Sequence, residues 1–207
     1  MSADPDLLAV WTRGWTLTRG VGTPVRDGAA WRIEVGAHDQ LRRFVFGAAD
    51  MQVTARAEMI FEPKVLLKVC ADAATVRPLL PSGWVVRPPG FMMTLEGRMR
   101  EGDPPTGCRA AFETVDGVLF CWMTVDGVEV ARGRAVAIDG LTIFDRIAVE
   151  PDWRRRGLGG EVMRRLQAET GLDRGVLVAT RDGRALYETL GWRLHSAYTT
   201  AASPGSL

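Results

Sequence analysis

The sequence predicts an α+β fold, a central mixed but mostly antiparallel twisted sheet flanked by helices. Three observations carry this. Between Arg109 and Val149 four apolar runs are joined at Asp116-Gly117, Asp126-Gly127 and Asp139-Gly140, and Asp-Gly between alternating runs is the strongest short-range hairpin signal. The last run leads through an arginine- and glycine-rich turn into a segment of helical spacing. Finally, residues 65 to 94 and 176 to 200 share one order of parts: apolar strand, Asp-containing turn, short helix, Gly-Trp, strand, aromatic, strand ending in threonine. A shared order of this kind suggests duplicated halves.

The elements follow in order. Asp6 to Val10 begins a short helix, which Gly14 and Gly20 are expected to break early. Residues 20 to 30 read as loop. Trp31 to Val35 alternates as a half-buried strand, and Leu41 to Phe46 is a second strand. Ala48 to Phe61 carries an imperfect helical stripe. Val65 to Val69 is a buried type of strand, and Ala73 to Leu80 a short helix ended by Pro81 and Gly83. Trp84 to Val86 and Phe91 to Leu95 are strands. Residues 100 to 107 (REGDPPTG) are rich in proline and glycine and mark the expected boundary between a half at 1–100 and a half at 101–207. The meander from Arg109 to Val149 follows. Gly157 to Thr170 is a helix with Leu158, Val162 and Leu166 at i, i+4, i+8 and Gly171 as its C-terminal cap. Val176 to Thr180 is a continuous apolar strand, Gly183 to Leu190 a short helix closed by Gly191, and Trp192 to Ala201 one or two further strands. The tail from Ser203 to Leu207 is expected to fray.

Bulk properties exclude several classes. The chain has 207 residues, enough to bury a core, with a formal net charge of +1, so nothing calls for a nucleic-acid partner. Cys70, Cys108 and Cys121 are odd in number and far apart, and read as reduced thiols in a reducing compartment. The N-terminal MSADPDLLAV lacks the basic start of a signal peptide, and no apolar run approaches a membrane span. The expected place is the cytoplasm, without membrane contact. No His, Cys or carboxylate cluster has metal spacing. Gly157-x-Gly159 lacks the third glycine of a dinucleotide fingerprint and follows its strand only after Pro151 and three arginines.

The stretch from Leu141 to Met163 carries the chemistry. A strand, a glycine-rich turn and a helix start leave several backbone N–H groups pointing at one spot, with the positive end of the helix aimed the same way. Such a place binds phosphate. Arg154, Arg155 and Arg156 add charge there.

Val149-x-Pro151-x-x-Arg154-Arg155-Arg156-Gly157-Leu158-Gly159 resembles the pyrophosphate motif of the GNAT superfamily of N-acetyltransferases, whose core is Gln/Arg-x-x-Gly-x-Gly/Ala. The later Leu186-Tyr187-x-x-Leu190-Gly191-Trp192 resembles that family's last characteristic helix. The resemblance covers about residues 110 to 200. It implies a GNAT fold in the C-terminal half and acetyl-coenzyme A as cosubstrate, with no metal. By the internal repeat, the N-terminal half is a degenerate GNAT-like copy, kept for structure or substrate recognition.

The resemblance also assigns roles. The backbone of Arg155 to Gly160 would wrap the pyrophosphate, Gly157 and Gly159 allowing close approach. The pantetheine arm would lie along the backbone of Ile147, Ala148 and Val149, where an N–H faces the thioester carbonyl. Tyr187 would be general acid to the leaving thiolate. Asp145 shares a face with Ile147 and Val149 and is a candidate base, although Ile143 stands at one usual site of the family's carboxylate. If Asp139-Gly140 is a two-residue hairpin loop, Asp145 lies opposite Arg134 and can pair with it instead. His195 is a further candidate for relaying a proton. Thr180 stands where many members carry a coenzyme-contacting asparagine. The expected acceptor is a primary amine of a small molecule or peptide, used by a monomer or homodimer. The alternative is a non-catalytic acyl-coenzyme A sensor or scaffold.

Overall fold

A computed structural model describes residues 2–206. They form two compact units: Met1–Met92 with Val178–Arg181 and Leu194–Leu207, and Met93–Leu177 with Asp182–Arg193. The proline-rich 100–107 segment therefore lies inside the second unit, and the last strand returns to the first.

Unit 1 opens with α1 (Pro5–Arg19), which runs through Gly14 instead of stopping there. Its ends explain its length. The Asp4 side chain accepts from the Leu7 N–H at 2.8 Å, Pro5 stands in the first turn, and Gly20 closes the helix in the left-handed region at φ 61°. A helical glycine costs about 1 kcal/mol against alanine. Burying Leu8, Trp11 and Trp15 along one face more than offsets that.

After α1 come β1 (Val25–Asp27), β2 (Ala30–Ala37), β3 (Gln40–Phe46), α2 (Met51–Glu58), β4 (Val65–Val69), α3 (Ala73–Val76) and β5 (Val85–Val86). The expected loop at 20–30 thus holds a three-residue strand, paired antiparallel with β2. α2 is shorter than its apolar stripe because Asp50 caps it, accepting from the Gln52 N–H at 2.8 Å. The helix at 73–80 tightens after Val76 into a 3-10 turn at Arg77–Leu79, since Pro78 has no N–H to continue the ladder. β3 and β4 run parallel. Phe44, Val65, Leu67 and Val69 on one sheet face join Val53 and Ala57 of α2 in a dry core. The other face, with Arg43, Lys68 and Cys70, lies under α1.

β6 (Gly90–Glu96) carries the chain into unit 2. There β7 (Arg109–Val115), β8 (Val118–Val125), β9 (Val128–Ile138) and β10 (Leu141–Val149) form the expected meander. Asp116, Asp126 and Asp139 have φ of 50°, 50° and 48°, each followed by a glycine of positive φ. These are type I′ hairpin turns, whose twist matches the strands. α4 (Leu158–Thr170) packs on β8, β9 and β10 through Leu158, Val162, Met163 and Leu166, none more than 1% exposed. β11 (Arg174–Ala179) pairs parallel with β10, which makes the sheet mixed. α5 (Arg181–Thr189) follows.

β12 (Arg193–Ala202) is a single strand paired with β4 and β5 in unit 1. The tail after it is held rather than frayed up to Ser206. Ser203 Oγ donates to the Glu62 carbonyl at 2.8 Å, and Ser206 Oγ accepts from the Lys64 N–H at 2.7 Å. Leu207 lies outside the described residues. Among them, no helix is long and apolar enough to cross a membrane.

Candidate functional site

The site in unit 2 begins with a defect in β10. Asp145 lies opposite Arg134 of β9, yet Ala148 lies opposite Arg132, so β10 holds one extra residue between them. Arg146 takes φ 51°, as bulged backbone does. The bulge turns Ile147 onto Gly133. A Cβ on Gly133 would stand 2.5 Å from Ile147 Cδ1 and 2.7 Å from Val162 Cγ1, so only glycine fits. The parallel register with β11 covers Thr142 and Ile143. Beyond those residues the bulge carries β10 away, and Ile147, Ala148 and Val149 are half-buried on its bent end.

The turn after β10 is arranged by its own side chains. Pro151–Trp153 make a 3-10 turn. Arg156 donates to the Asp152 carbonyl at 3.1 Å, and its guanidinium stands 4.6 Å over the Trp153 ring. Arg154, Arg155 and Arg156 are exposed, and Arg155 adopts φ 64°. Gly157 begins α4 in the left-handed region with no side chain to cap the helix. The first-turn N–H groups of Leu158, Gly159 and Gly160 therefore stand at the positive helix end without a side-chain cap, the one carboxylate of the turn, Glu161, being engaged by Arg164 and Arg165. An uncapped helix start of this kind can take an anion such as a phosphate.

The two following glycines have a second use that the motif did not reveal. A Cβ on Gly159 would stand 2.9 Å from Leu186 Cδ2, and one on Gly160 would stand 3.5 Å from Leu190 Cδ2. They let α5 lie against the start of α4. Glu161 is buried and ion-paired with Arg164 at 2.9 Å and Arg165 at 2.7 Å. Beside the turn, a cavity of about 380 Å³ is lined by Asp103, Pro105, Thr106, Cys108, Trp153 and Arg156. Its wall includes the segment that reads as a linker in the sequence, where no periodic signal marks it.

Tyr187 is buried, 6.0 Å from Trp192 between ring centroids. Trp192 meets Phe144 edge-on at 5.4 Å. The three rings anchor α5 to β10. Burial, and secondarily the Asp145 charge, push the Tyr187 hydroxyl well above the usual phenol range, so it holds its proton. Asp145 and Arg134 form the cross-strand ion pair that the hairpin arithmetic allows, Nε to Oδ2 at 3.5 Å, with Asp145 only 10% exposed. Glu150 lies 3.4 Å from Arg132. Two candidates lie with unit 1. Thr180 sits between β11 and α5. His195 Nε2 accepts from the Asp4 N–H at 3.1 Å, so its ring steadies the start of α1. Among the described residues, no group of three or more His, Cys, Asp or Glu can hold a metal.

Comparison with known proteins agrees with this geometry. Residues 116–194 match the family model described as an acetyltransferase (GNAT) domain. No curated protein matches the chain. Among solved structures, the fold is similar to a GCN5-related N-acetyltransferase from Kribbella flavida, at TM-score 0.65 and 16% identity over 92% of each chain. It is also similar to a GCN5-related N-acetyltransferase-like protein from Streptococcus suis, at TM-score 0.60 and 16% identity over 91% of each chain. A third, a GCN5-related N-acetyltransferase from Sphaerobacter thermophilus, gives TM-score 0.57 and 14% identity over 84% of this chain and 76% of its own. The chain therefore has the GNAT fold, and its residues 116–194 match the acetyltransferase (GNAT) domain model.

Proposed function

We propose that this chain is an N-acetyltransferase that moves the acetyl group of acetyl-coenzyme A to a primary amine of a small molecule or peptide. The observation that carries the reading is the bulged β10 leading directly into a helix start capped only by glycine.

Acetyl-coenzyme A supplies an activated thioester and a pyrophosphate. The backbone N–H groups of Arg155 to Gly160 hold the pyrophosphate, and the guanidiniums of Arg154 to Arg156 add charge-assisted contacts. The bent backbone of Ile147, Ala148 and Val149 aligns the pantetheine arm as an added strand does. An N–H of this stretch stabilises charge that develops on the carbonyl oxygen during attack by the amine. Asp145 takes the amine's proton. Tyr187, protonated because it is buried beside Asp145, delivers a proton to the departing thiolate. Thr180 takes the place of the asparagine common in the family as a coenzyme contact.

We also read unit 1 as a degenerate copy of the same layout. Both halves contain strand, helix, parallel strand, helix: β3, α2, β4 and α3 against β10, α4, β11 and α5. In unit 1 the helix start is already filled by a carboxylate, Asp50. An N-terminus capped by its own anion does not take a phosphate. One coenzyme site per chain follows.

Release of free thiol from acetyl-coenzyme A, measured across a panel of primary amines, tests the activity. Amine-dependent release supports it. Tight coenzyme binding with no release for any amine would instead fit the scaffold alternative.

A further inference from the structure

We infer that unit 1 holds a binding site for a small oxyanion, a carboxylate or a phosphate, seated between Lys68 and Arg87. The site is a cross-strand row. On β12, Thr200 lies directly opposite Lys68 of β4. On its other side the Arg87 N–H donates to the Thr200 carbonyl at 2.9 Å, which places Arg87 beside Thr200 in the same row. Lys68 Nζ donates to Thr200 Oγ1 at 2.8 Å, leaving that hydroxyl's own proton free to donate. One step along β12, on the same face, stands Tyr198, with Lys68 Nζ 5.9 Å from its ring.

Two features mark this row as incomplete by itself. First, the charge is one-sided. Among the described residues no carboxylate bonds to Lys68 or Arg87. The charged groups acting on Lys68 are the guanidiniums of Arg43, Arg87 and Arg19, and burial together with these cations holds the lysine well below its usual range. Second, the Tyr198 hydroxyl is buried and has no hydrogen-bond partner, with Tyr198 only 3% exposed. Buried polar groups are normally satisfied, and like charges gathered in low dielectric repel strongly. An oxyanion resolves both. It accepts from Lys68 Nζ, the Arg87 guanidinium, the Thr200 hydroxyl and the Tyr198 hydroxyl at once.

The site is independent of the acyl-transfer reading, because its residues are all in unit 1 and its test is binding. Full-length chain is titrated calorimetrically with succinate and, separately, with inorganic phosphate, at matched ionic strength. One probe is expected to saturate one site per chain, and the tighter of the two identifies the oxyanion. Lys68→Met and Arg87→Met should each weaken it at least tenfold. Tyr198→Phe, which removes one hydroxyl and keeps the ring, should weaken it severalfold. The inference is overturned if neither probe saturates. It is equally overturned if phosphate binds but the Lys68 and Arg87 variants leave its affinity within twofold, since that phosphate then sits at the α4 turn.

Discussion

Single residues decide both the chemistry and the reactivity of this chain. Tyr187→Phe removes the proposed proton donor and keeps the ring that packs on Trp192. Turnover should fall by roughly 10²-fold, with acetyl-coenzyme A affinity by calorimetry nearly unchanged. Turnover within twofold of wild type would remove Tyr187 from the mechanism. The three cysteines should separate in the same way. Burial pushes the Cys70 thiol to about 12 and the Cys121 thiol to about 11. At pH 8 neither holds an appreciable thiolate, so iodoacetamide followed by peptide mapping should label Cys108 first. At this scale the sequence is uneven as a guide. Tyr187 is legible from the Leu-Tyr-x-x-Leu-Gly-Trp phrase. The Asp145–Arg134 pair is legible because Asp139-Gly140 sets the hairpin register. Gly133 is silent, because its contact with Ile147 exists only once the bulge has formed.

At the scale of elements, glycines shape the site more by packing than by flexibility. Gly133→Ala sets a methyl against Ile147 and Val162, which should cost about 1–3 kcal/mol of stability by overpacking. It should also weaken coenzyme binding by straightening β10. Thermal unfolding and calorimetry of the same variant check both, and a variant as stable and as tight as wild type would contradict the packing account. Gly159→Ala meets Leu186 and should loosen α5 as well as the turn, so its effect on coenzyme affinity is not a pure phosphate effect. The elements themselves were largely legible. The meander appears with its expected turns, because Asp-Gly chemistry is local. α1 was not, since its glycine reads as a breaker until the helix's buried tryptophans are known. The tail was not, because Ser203 and Ser206 find their partners at residues 62 to 65, far away in sequence.

For the whole molecule, the sequence shows that the first half lacks the Arg-Gly turn, whereas the carboxylate cap that Asp50 places on α2 emerges only in the structure. The 100–107 segment clusters with unit 2, since composition reports local flexibility, not which unit a segment packs with. Buried thiols and phenols also set a global pH limit. Cys70, Cys121, Tyr187 and Tyr198 are all raised by burial. Above their unfolded values, about 8.5 for cysteine and about 10 for tyrosine, the unfolded chain loses protons that the folded chain keeps. Stability is therefore present below those values and is lost as pH rises through the window from about 9 to 12. Urea midpoints should fall across that range, and Cys70→Ala, compared at equal starting stability, should flatten the slope. A flat profile to pH 11 would contradict the burial of these groups. The most direct measurement of the central claim compares acetyl-coenzyme A with acetyl-pantetheine, which lacks the pyrophosphate and nucleotide, by calorimetry on the full chain. If the Arg154 to Gly160 turn seats the pyrophosphate, acetyl-coenzyme A binds and acetyl-pantetheine binds far more weakly. Equal affinity for the two, or no binding of acetyl-coenzyme A, would contradict it.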